Sequence, residues 1–485
     1  MVDTESLSPA QETSPLSGWV PYLLIFGFAI AWLFHLDLVA LTPPMDNVEE
    51  YVWSSSLQWG YYKHPPLPTW LAHGAIELLG YNSWALYALG GVLYAGSLAL
   101  FWKTLQLCQG RAFATLALLA ACGITFYNGR INYYNHNTVI AFLTALSAYL
   151  FVHLHLRGTL LTWALFGVVL AMGMLSKYQF ALTIAALLMA YIWLGMWRQP
   201  QHLKGAALAL IVFLLALTPH LYWLANTPFG PVQYAMHTSL GAGLTGQNKA
   251  IKVLTWTLDW LFNRSLLAWV LLLFVRFPNP TKAVTVQAQR PATYTPVLLL
   301  LGWGPLLMMM AMGAFAGVDL QLQWPTAFSL WTVPAVMLLP VFRPLQQLKQ
   351  VPLKAYVTFA VIQLLLMVLS WVTSPFGPKP SRPAHWREFP SSELAQSMQT
   401  IIKPQLGQDI QIISGPQNPA GAIALRLPAH PKVLVDGQLQ LSPWFTEKDI
   451  QTTPIVHLIP LADAPPNASK LSDEWAAYVS RPQAQ

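Results

Sequence analysis

Apolar residues fall in long runs along most of the chain. Eleven stretches are dominated by Leu, Ile, Val, Phe, Ala, Met and Trp: 19–41, 83–102, 112–127, 138–156, 160–176, 179–197, 206–224, 260–277, 294–315, 327–342 and 355–373. A helix needs roughly 20 such residues to cross the hydrocarbon layer, so the pattern predicts about eleven transmembrane helices. Pro, Gly and small charge clusters break the runs, and 253–277 can be cut in more than one way. Between the first two runs the period changes. Apolar positions recur at helical spacing over 47–58 and 66–80, with Trp53, Trp59 and Trp70 among them. That predicts two helices lying in the headgroup plane within the first outer loop. From residue 375 the apolar runs stop. "SPFGPKPSRPAHW" is a Pro-rich linker, "SSELAQSMQTIIK" an amphipathic helix with a Ser cap and Glu393 in its first turn, and "DIQIIS", "KVLVDG" and "PIVHLIP" short strands. The predicted fold is an all-α polytopic membrane protein with a small C-terminal α/β domain. Its expected divisions are a disordered cytoplasmic tail over 1–18, a membrane domain over 19–374 and a soluble domain over 375–485.

Composition agrees. Of 485 residues, 55% are hydrophobic and 9% charged, against roughly 25% charged in soluble domains. The net charge of +7 does not point to nucleic acid, because the basic residues up to Lys354 mostly sit in short loops between apolar runs. The two cysteines, Cys108 and Cys122, lie in or near apolar runs and make no disulfide framework. The N-terminal segment lacks the basic start of a cleaved signal peptide.

Lys/Arg bias sets the orientation. With the N-terminus in the cytoplasm, cytoplasmic loops hold Lys103, Arg111, Arg157, Arg198, Lys204, Arg276, Lys282, Arg290, Arg343, Lys349 and Lys354. Outer loops hold Lys63, Arg130, Lys177, Lys249, Lys252 and Arg264. Between residues 20 and 375 there are seven acids: Asp37, Asp46, Glu49, Glu50, Glu77, Asp259 and Asp319. All seven fall at or near the outer face. Acids count for little in topology, so their one-sidedness suggests a site there. An odd number of spans also puts the C-terminal domain outside.

The first outer loop gathers the densest polar chemistry: "MDNVEEYVWSSSLQWGYYKHPPLPTW". Asp46, behind Pro43-Pro44, is placed to act as a general base, which requires a carboxylate held within hydrogen-bond reach of a hydroxyl. The plainer reading is an interfacial anchor with solvated acids. Lys177 breaks the apolar region between two spans. A lysine deep in the membrane costs roughly 2.5–3.5 kcal/mol, so Lys177 either snorkels or meets a lipid phosphate, with Tyr178 as a hydrogen-bond donor; Arg130 and Arg264 are further candidates. Asn135, His136 and Asn137 suit loop capping or sugar hydrogen bonding better than metal binding. One histidine with two amides is a poor transition-metal set, although a hard divalent cation such as Mg or Mn remains compatible. The Gly-rich stretch 226–252 reads as a flexible lid or a plain loop, without P-loop spacing.

"DNVEEYVWSSSLQWGYYKHPPLPTWL" resembles the first-loop signature of the bacterial branch of the protein O-mannosyltransferase superfamily, which includes aminoarabinose and lipid A sugar transferases of the C-type membrane glycosyltransferases. The usual pattern is roughly D-E-A-Y-Y-W-x-W-S-x-x-L-x-x-G-Y-x-D-H-P-P-L. Aligned on His64-Pro65-Pro66, its first Asp falls on Asp46, its Trp-Ser on Trp53 and Ser54, and its Gly-Tyr on Gly60 and Tyr61. The chain departs at Asn47 for the second acid, at Glu49 and Glu50 for tyrosines, and at Lys63 for the Asp before His. A helper-acid role would then pass to Glu49 or Glu50. "YYNHNTVIAFLTALSAYLF", "GMLSKYQFALTIAALLMAYIW", "FAGVDLQLQWPTAFSLW" with Gln323-Trp324, and "SGPQNPAGAIALRLPAHPKVLVDG" resemble later parts of the family more weakly.

The resemblance implies a polyprenyl-phosphate sugar donor, a lipid, glycan or protein hydroxyl as acceptor, and inversion with Asp46 as base. It implies substrate contacts from Glu49, Glu50, Tyr61, Lys63, His64, Arg130, Asn135, Asn137, Lys177, Tyr178 and Trp324. Membrane lipids are the remaining expected partner, in the plasma (inner) membrane. A transporter or flippase is the alternative, although it would more often carry ionisable residues at mid-span. A sensor or assembly factor working through its C-terminal domain is a third class.

Overall fold

A computed structural model describes residues 15–227, 230–277, 292–378 and 385–482. Each of the eleven apolar runs contains a helix, although the run 112–127 is α-helical only to Ala121 and the run 327–342 only over Ser329–Met337. The helices comprise α1 (Pro15–Leu38), α4 (Ser83–Gln109), α5 (Arg111–Ala121), α6 (His136–Arg157), α7 (Leu160–Met174), α8 (Ala181–Trp193) and α9 (Pro200–Asn226). After α10 (Gly230–Ala235) come α11 (Gly246–Leu258), α12 (Leu266–Arg276), α13 (Thr295–Ala316), α14 (Ser329–Met337), the short α15 (Arg343–Gln346) and α16 (Leu353–Val372). Among the described residues, six helices are long and apolar enough to cross a membrane, or seven if the pair 246–264 and 266–276, bent by 53°, counts as one span. The helices at α5, α7 and α8 are apolar but shorter, and α14, with Pro334 inside it, has 9 residues. The chain is a multi-pass membrane protein. Helices α9 and α16 turn rows of leucines outward, including Leu214, Leu215, Leu364 and Leu365, as a lipid-facing surface requires.

The first loop contains α2 (Met45–Trp53) and α3 (Leu67–Leu79), close to the expected bounds. Their setting differs from expectation. Helix α2 does not lie open in the headgroup plane: Asn47, Val48, Glu50, Tyr51, Val52 and Trp53 are all buried. Trp53 is 1% exposed, whereas Trp59 is 48% exposed. The stretch 226–252 also departs from a loop. Its described residues hold α10, a wide helical turn over Met236–Leu240, and most of α11. Lys252 closes that segment onto Asp319 at 2.7 Å.

Beyond the membrane helices, α17 (Ser391–Ser397) and α18 (Lys403–Leu406) flank a wide turn over Met398–Ile402. Then follow β1 (Ile412–Gly415), α19 (Gln417–Arg426), β2 (Lys432–Val435), α20 (Glu447–Thr452), β3 (Ile455–Pro460), β4 (Ser469–Lys470) and β5 (Trp475–Ser480). The strand order is β2-β1-β3-β5-β4. β1 is parallel to β2 and β3, and β5 is antiparallel to β3 and β4. This is the small α/β unit expected from the sequence after the membrane helices, with β4, β5, α19 and α20 added. Of the expected tail 1–18, residues 1–14 lie outside the described residues and 15–18 open α1; residues 379–384 of the expected linker also lie outside them.

The C-terminal unit sits on the end of the bundle that carries the first loop. Leu41 N–H donates to the Arg387 carbonyl at 2.8 Å, and Trp386 Nε1 donates to the Pro43 carbonyl at 2.7 Å. The Pro43-Pro44 lead-in to α2 is thereby fixed from the far end of the chain.

Candidate active site

Asp46 stands in the first turn of α2, with no side-chain cap before it. Its Oδ2 accepts from Asn135 Nδ2 at 2.5 Å. Its other oxygen has no protein partner among the described residues, and the side chain is half-buried. Asn135 is itself the cap of α6: its Oδ1 accepts the backbone N–H groups of Asn137 and Thr138 at 2.8 and 3.0 Å. Asn137 Oδ1 then accepts from Lys177 Nζ at 2.7 Å. Asp46, Asn135, Asn137 and Lys177 thus form one hydrogen-bonded line. A small residue in α4 lets the loop before α6 come this close. A Cβ at Gly90 would stand 3.0 Å from the Tyr133 carbonyl oxygen.

Lys177 lies between α7 and α8 and makes no ion pair among the described residues. Burial pushes its ammonium down to about 7, against a smaller upward pull from Asp46. Charged groups that leave water are normally paired, so this cation suits an incoming anion. His64 lies beside it, its ring 3.8 Å from that of His136. Burial, with the Lys177 and Lys63 charges, holds His64 well below the usual imidazole range and therefore neutral. Arg130 spreads over the Tyr133 ring at 5.2 Å and the Phe126 ring at 5.9 Å, with no carboxylate partner among the described residues. Arg264, by contrast, is paired with Asp259 at 3.0 Å.

The acids that follow Asp46 have other partners. Glu49 pairs with Lys63 and accepts from Gln417 Nε2 at 2.8 Å. Burial is the largest single influence on both groups: it holds Glu49 above its ordinary value despite Lys63, whereas at Lys63 Glu49 and Tyr62 together outweigh it and hold the ammonium above its ordinary value. The ammonium also lies over the rings of Tyr62, Trp53 and Tyr234, 5.2 to 5.9 Å from their centroids. Glu50 is buried and accepts from Thr69 Oγ1 at 2.7 Å. Burial, with smaller contributions from Glu49 and Asp46, pushes it up to about 8 despite the Thr69 bond. A carboxyl raised in this way costs nothing below its unfolded value. It then loses stability as pH climbs from about 4.5 to about 8, by roughly 5 kcal/mol in all at about 1.4 kcal/mol per unit. Glu50→Gln is expected to flatten that part of the melting-temperature profile and to stabilise the protein above pH 7. Parallel profiles for the two proteins across this window would refute a raised Glu50.

Asn47 occupies the second acidic position of the family pattern, and its environment requires an amide. Nδ2 donates to the Asn132 carbonyl and Oδ1 accepts from Tyr134 N–H, both at 2.9 Å. A carboxylate would keep the second bond and face a carbonyl oxygen with the first. Asn47→Asp should therefore destabilise by about 1–3 kcal/mol, the cost of a buried group left unsatisfied, read as a lower midpoint of unfolding. Of the two residues expected to take a helper-acid role, Glu49 is paired with Lys63 and Glu50 is bonded to Thr69. Among the described residues, no three His, Cys, Asp or Glu side chains converge on a metal-sized site.

Several expected substrate contacts have internal partners. Tyr61 stacks on Trp53 at 5.3 Å and donates to the Ser56 carbonyl at 2.7 Å. Tyr178 meets His220 Nε2 at 2.9 Å, and His220 Nδ1 meets the Trp59 carbonyl at 2.6 Å, which ties the first loop to α9. The Trp324 carbonyl accepts from Gln179 Nε2 at 3.0 Å. The site residues that sequence reading passed over are Gln417 and Gly421 of the C-terminal unit. Their only signal is the weak family likeness of that segment.

Residues 63–223 match the model of the dolichyl-phosphate-mannose-protein mannosyltransferase family. The crystal structure of ArnT from Cupriavidus metallidurans bound to undecaprenyl phosphate superposes with a TM-score of 0.62 at 14% identity, covering 97% of this chain and all of that one. Over residues 63–223 the chain is similar to that mannosyltransferase family, and as a whole it shares the fold of ArnT. In Rhizobium johnstonii, the lipopolysaccharide core galacturonosyltransferase RgtB is 27% identical over 42% of this chain, and RgtA is 22% identical over 61%. Those alignments span 40% and 58% of the relatives' own lengths. The family match begins at Lys63, inside the first loop, so Asp46 stands outside it and rests on the geometry above.

Proposed function

We propose that this chain moves a sugar from a polyprenyl-phosphate-linked donor to a hydroxyl of a lipid, glycan or protein on the outer face of the plasma (inner) membrane, with inversion. The observation that carries this reading is the line from Asp46 to Lys177. Among the described residues it puts a carboxylate oxygen without a protein partner and a partly buried cation without an ion pair at opposite ends of one hydrogen-bonded chain. Lys177, with His64 and Arg130, receives the donor phosphate, and its charge stabilises the phosphate as it leaves. Asp46 stays on the acceptor side, because a carboxylate against the phosphate would oppose departure. Its free oxygen takes the acceptor proton as the hydroxyl attacks the anomeric carbon from the face opposite the phosphate. ArnT, whose fold this chain shares, is described as bound to undecaprenyl phosphate, and RgtA and RgtB act on lipopolysaccharide core. These support a lipid-phosphate donor and an envelope acceptor.

The test is a panel of radiolabelled polyprenyl-phosphate sugars offered to membranes that contain the protein. The expected result is transfer of one label, with inversion, to a product absent from control membranes. No transfer from any donor would refute the reading, as would release of the sugar to water alone.

A further inference from the structure

Helix α2 is only 9 residues long, shorter than a helix that holds itself in water, and Pro44 before it offers no side-chain cap. The direction of Asp46 is therefore set by what α2 packs against. One face is fixed to the bundle through Asn47, Glu50 and Tyr51. The other carries Val52 and Trp53 into the core of the C-terminal unit, with Leu394, Met398, Ile413, Ile423 and Leu458. Helix α19 lies directly on α2. A Cβ at Gly421 would stand 2.7 Å from both Val48 and Val52 side chains. Gln417, which opens α19, donates Nε2–H to Glu49 at 2.8 Å and accepts from the Tyr62 hydroxyl at 3.1 Å. Glu49 sits three residues from Asp46, on the neighbouring position of the same helical surface. The Glu49–Lys63 pair replaces a Tyr and an Asp of the family pattern, and it is the pair that Gln417 seals.

Resting on the transfer reaction proposed above, we infer that the C-terminal unit is part of the active site and that Gln417 is a positioning residue for Asp46, acting through Glu49 and α2. It is not a group that touches the reacting atoms. Misplacing a catalytic group by about 1 Å costs around 10²-fold in rate, so a contact two side chains away is large enough to matter.

The experiment compares wild type, Asp46→Asn, Gln417→Glu, Glu49→Gln and the double variant Glu49→Gln/Gln417→Glu in proteoliposomes, with kcat and the donor KM measured separately. Gln417→Glu sets two carboxylates against each other. It is expected to lower kcat about 10- to 100-fold while the donor KM stays unchanged. The double variant exchanges the amide and the carboxylate and leaves Lys63 an acidic neighbour, so kcat should recover beyond the product of the single effects. Should Gln417→Glu fail to fold, Gln417→Met removes both hydrogen bonds without charge and should show the same split. Wild-type kcat in folded Gln417→Glu or Gln417→Met would overturn the inference, as would a double variant no better than its singles multiplied. Absence of transfer by wild type, or full transfer by Asp46→Asn, would instead remove the reaction on which the inference rests.

Discussion

Replacing Asp46 with Asn is expected to lower transfer by about 10²- to 10⁴-fold, the usual contribution of a positioned base, while the protein remains folded. Asn135 donates to one Asp46 oxygen, and the amide oxygen of an Asn can accept that bond unchanged. The partner-free oxygen is then replaced by an NH2 group, which cannot take a proton. Local structure is preserved and proton abstraction is lost. Initial rates with saturating donor and acceptor, read beside a thermal melt, separate the two. Full activity in the folded variant would exclude Asp46 as the base.

The second large effect concerns Lys177. Lys177→Met should cost about 10²- to 10³-fold in kcat/KM for the donor, the scale seen when one preorganised electrostatic donor is removed, with the acceptor KM little changed. Its effect on stability should have the opposite sign. A partly buried cation without a counter-charge among the described residues is expensive to hold, so the variant should melt at or above the wild-type temperature. Only a residue kept for its ligand shows that combination. The pH dependence follows from the same burial. Lys177 is held down to about 7, and only its cationic form attracts phosphate, so donor affinity should be full below pH 7. Above it, affinity should fall by up to tenfold per unit, and Lys177→Arg should flatten the curve. A donor affinity independent of pH between 6 and 9 in wild type would contradict this account, as would equal losses for donor and acceptor in Lys177→Met.

The sequence showed where helices form more clearly than what each one faces. Apolar runs located the membrane helices because lipid imposes one rule, uniform hydrophobicity, that composition reports directly. In α2 the same reasoning found the helix and misjudged its surroundings. Val48, Val52 and Trp53 read as residues for the headgroup plane, because nothing local reveals that Gly421 and Ile423 cover them from more than 350 positions away. Asp46, Asn135, Asn137 and Lys177 could each be singled out as polar groups at span ends, yet their joining into one line depends on how α2, α6 and the α7–α8 turn pack. The departures from the family pattern became intelligible only in three dimensions. Asn47 satisfies a carbonyl and an amide at once, and Glu49 and Lys63 neutralise one another. The glycines of 226–252 hid a largely helical segment, since spacing that suits a loop does not forbid helix when apolar neighbours such as Trp256 and Val253 find a core.

The enclosure of α2 also bears on synthesis. Residues 52 to 61 leave the ribosome well before the chain that covers them, from Leu394 to Ala477, has been made. Contacts so distant in sequence form slowly, and until they do a patch of Val, Trp and Tyr stands bare beside the bilayer. Chains halted before Ala477 would present that patch to chaperones and proteases, so the surroundings of α2 are complete only after that residue has been made.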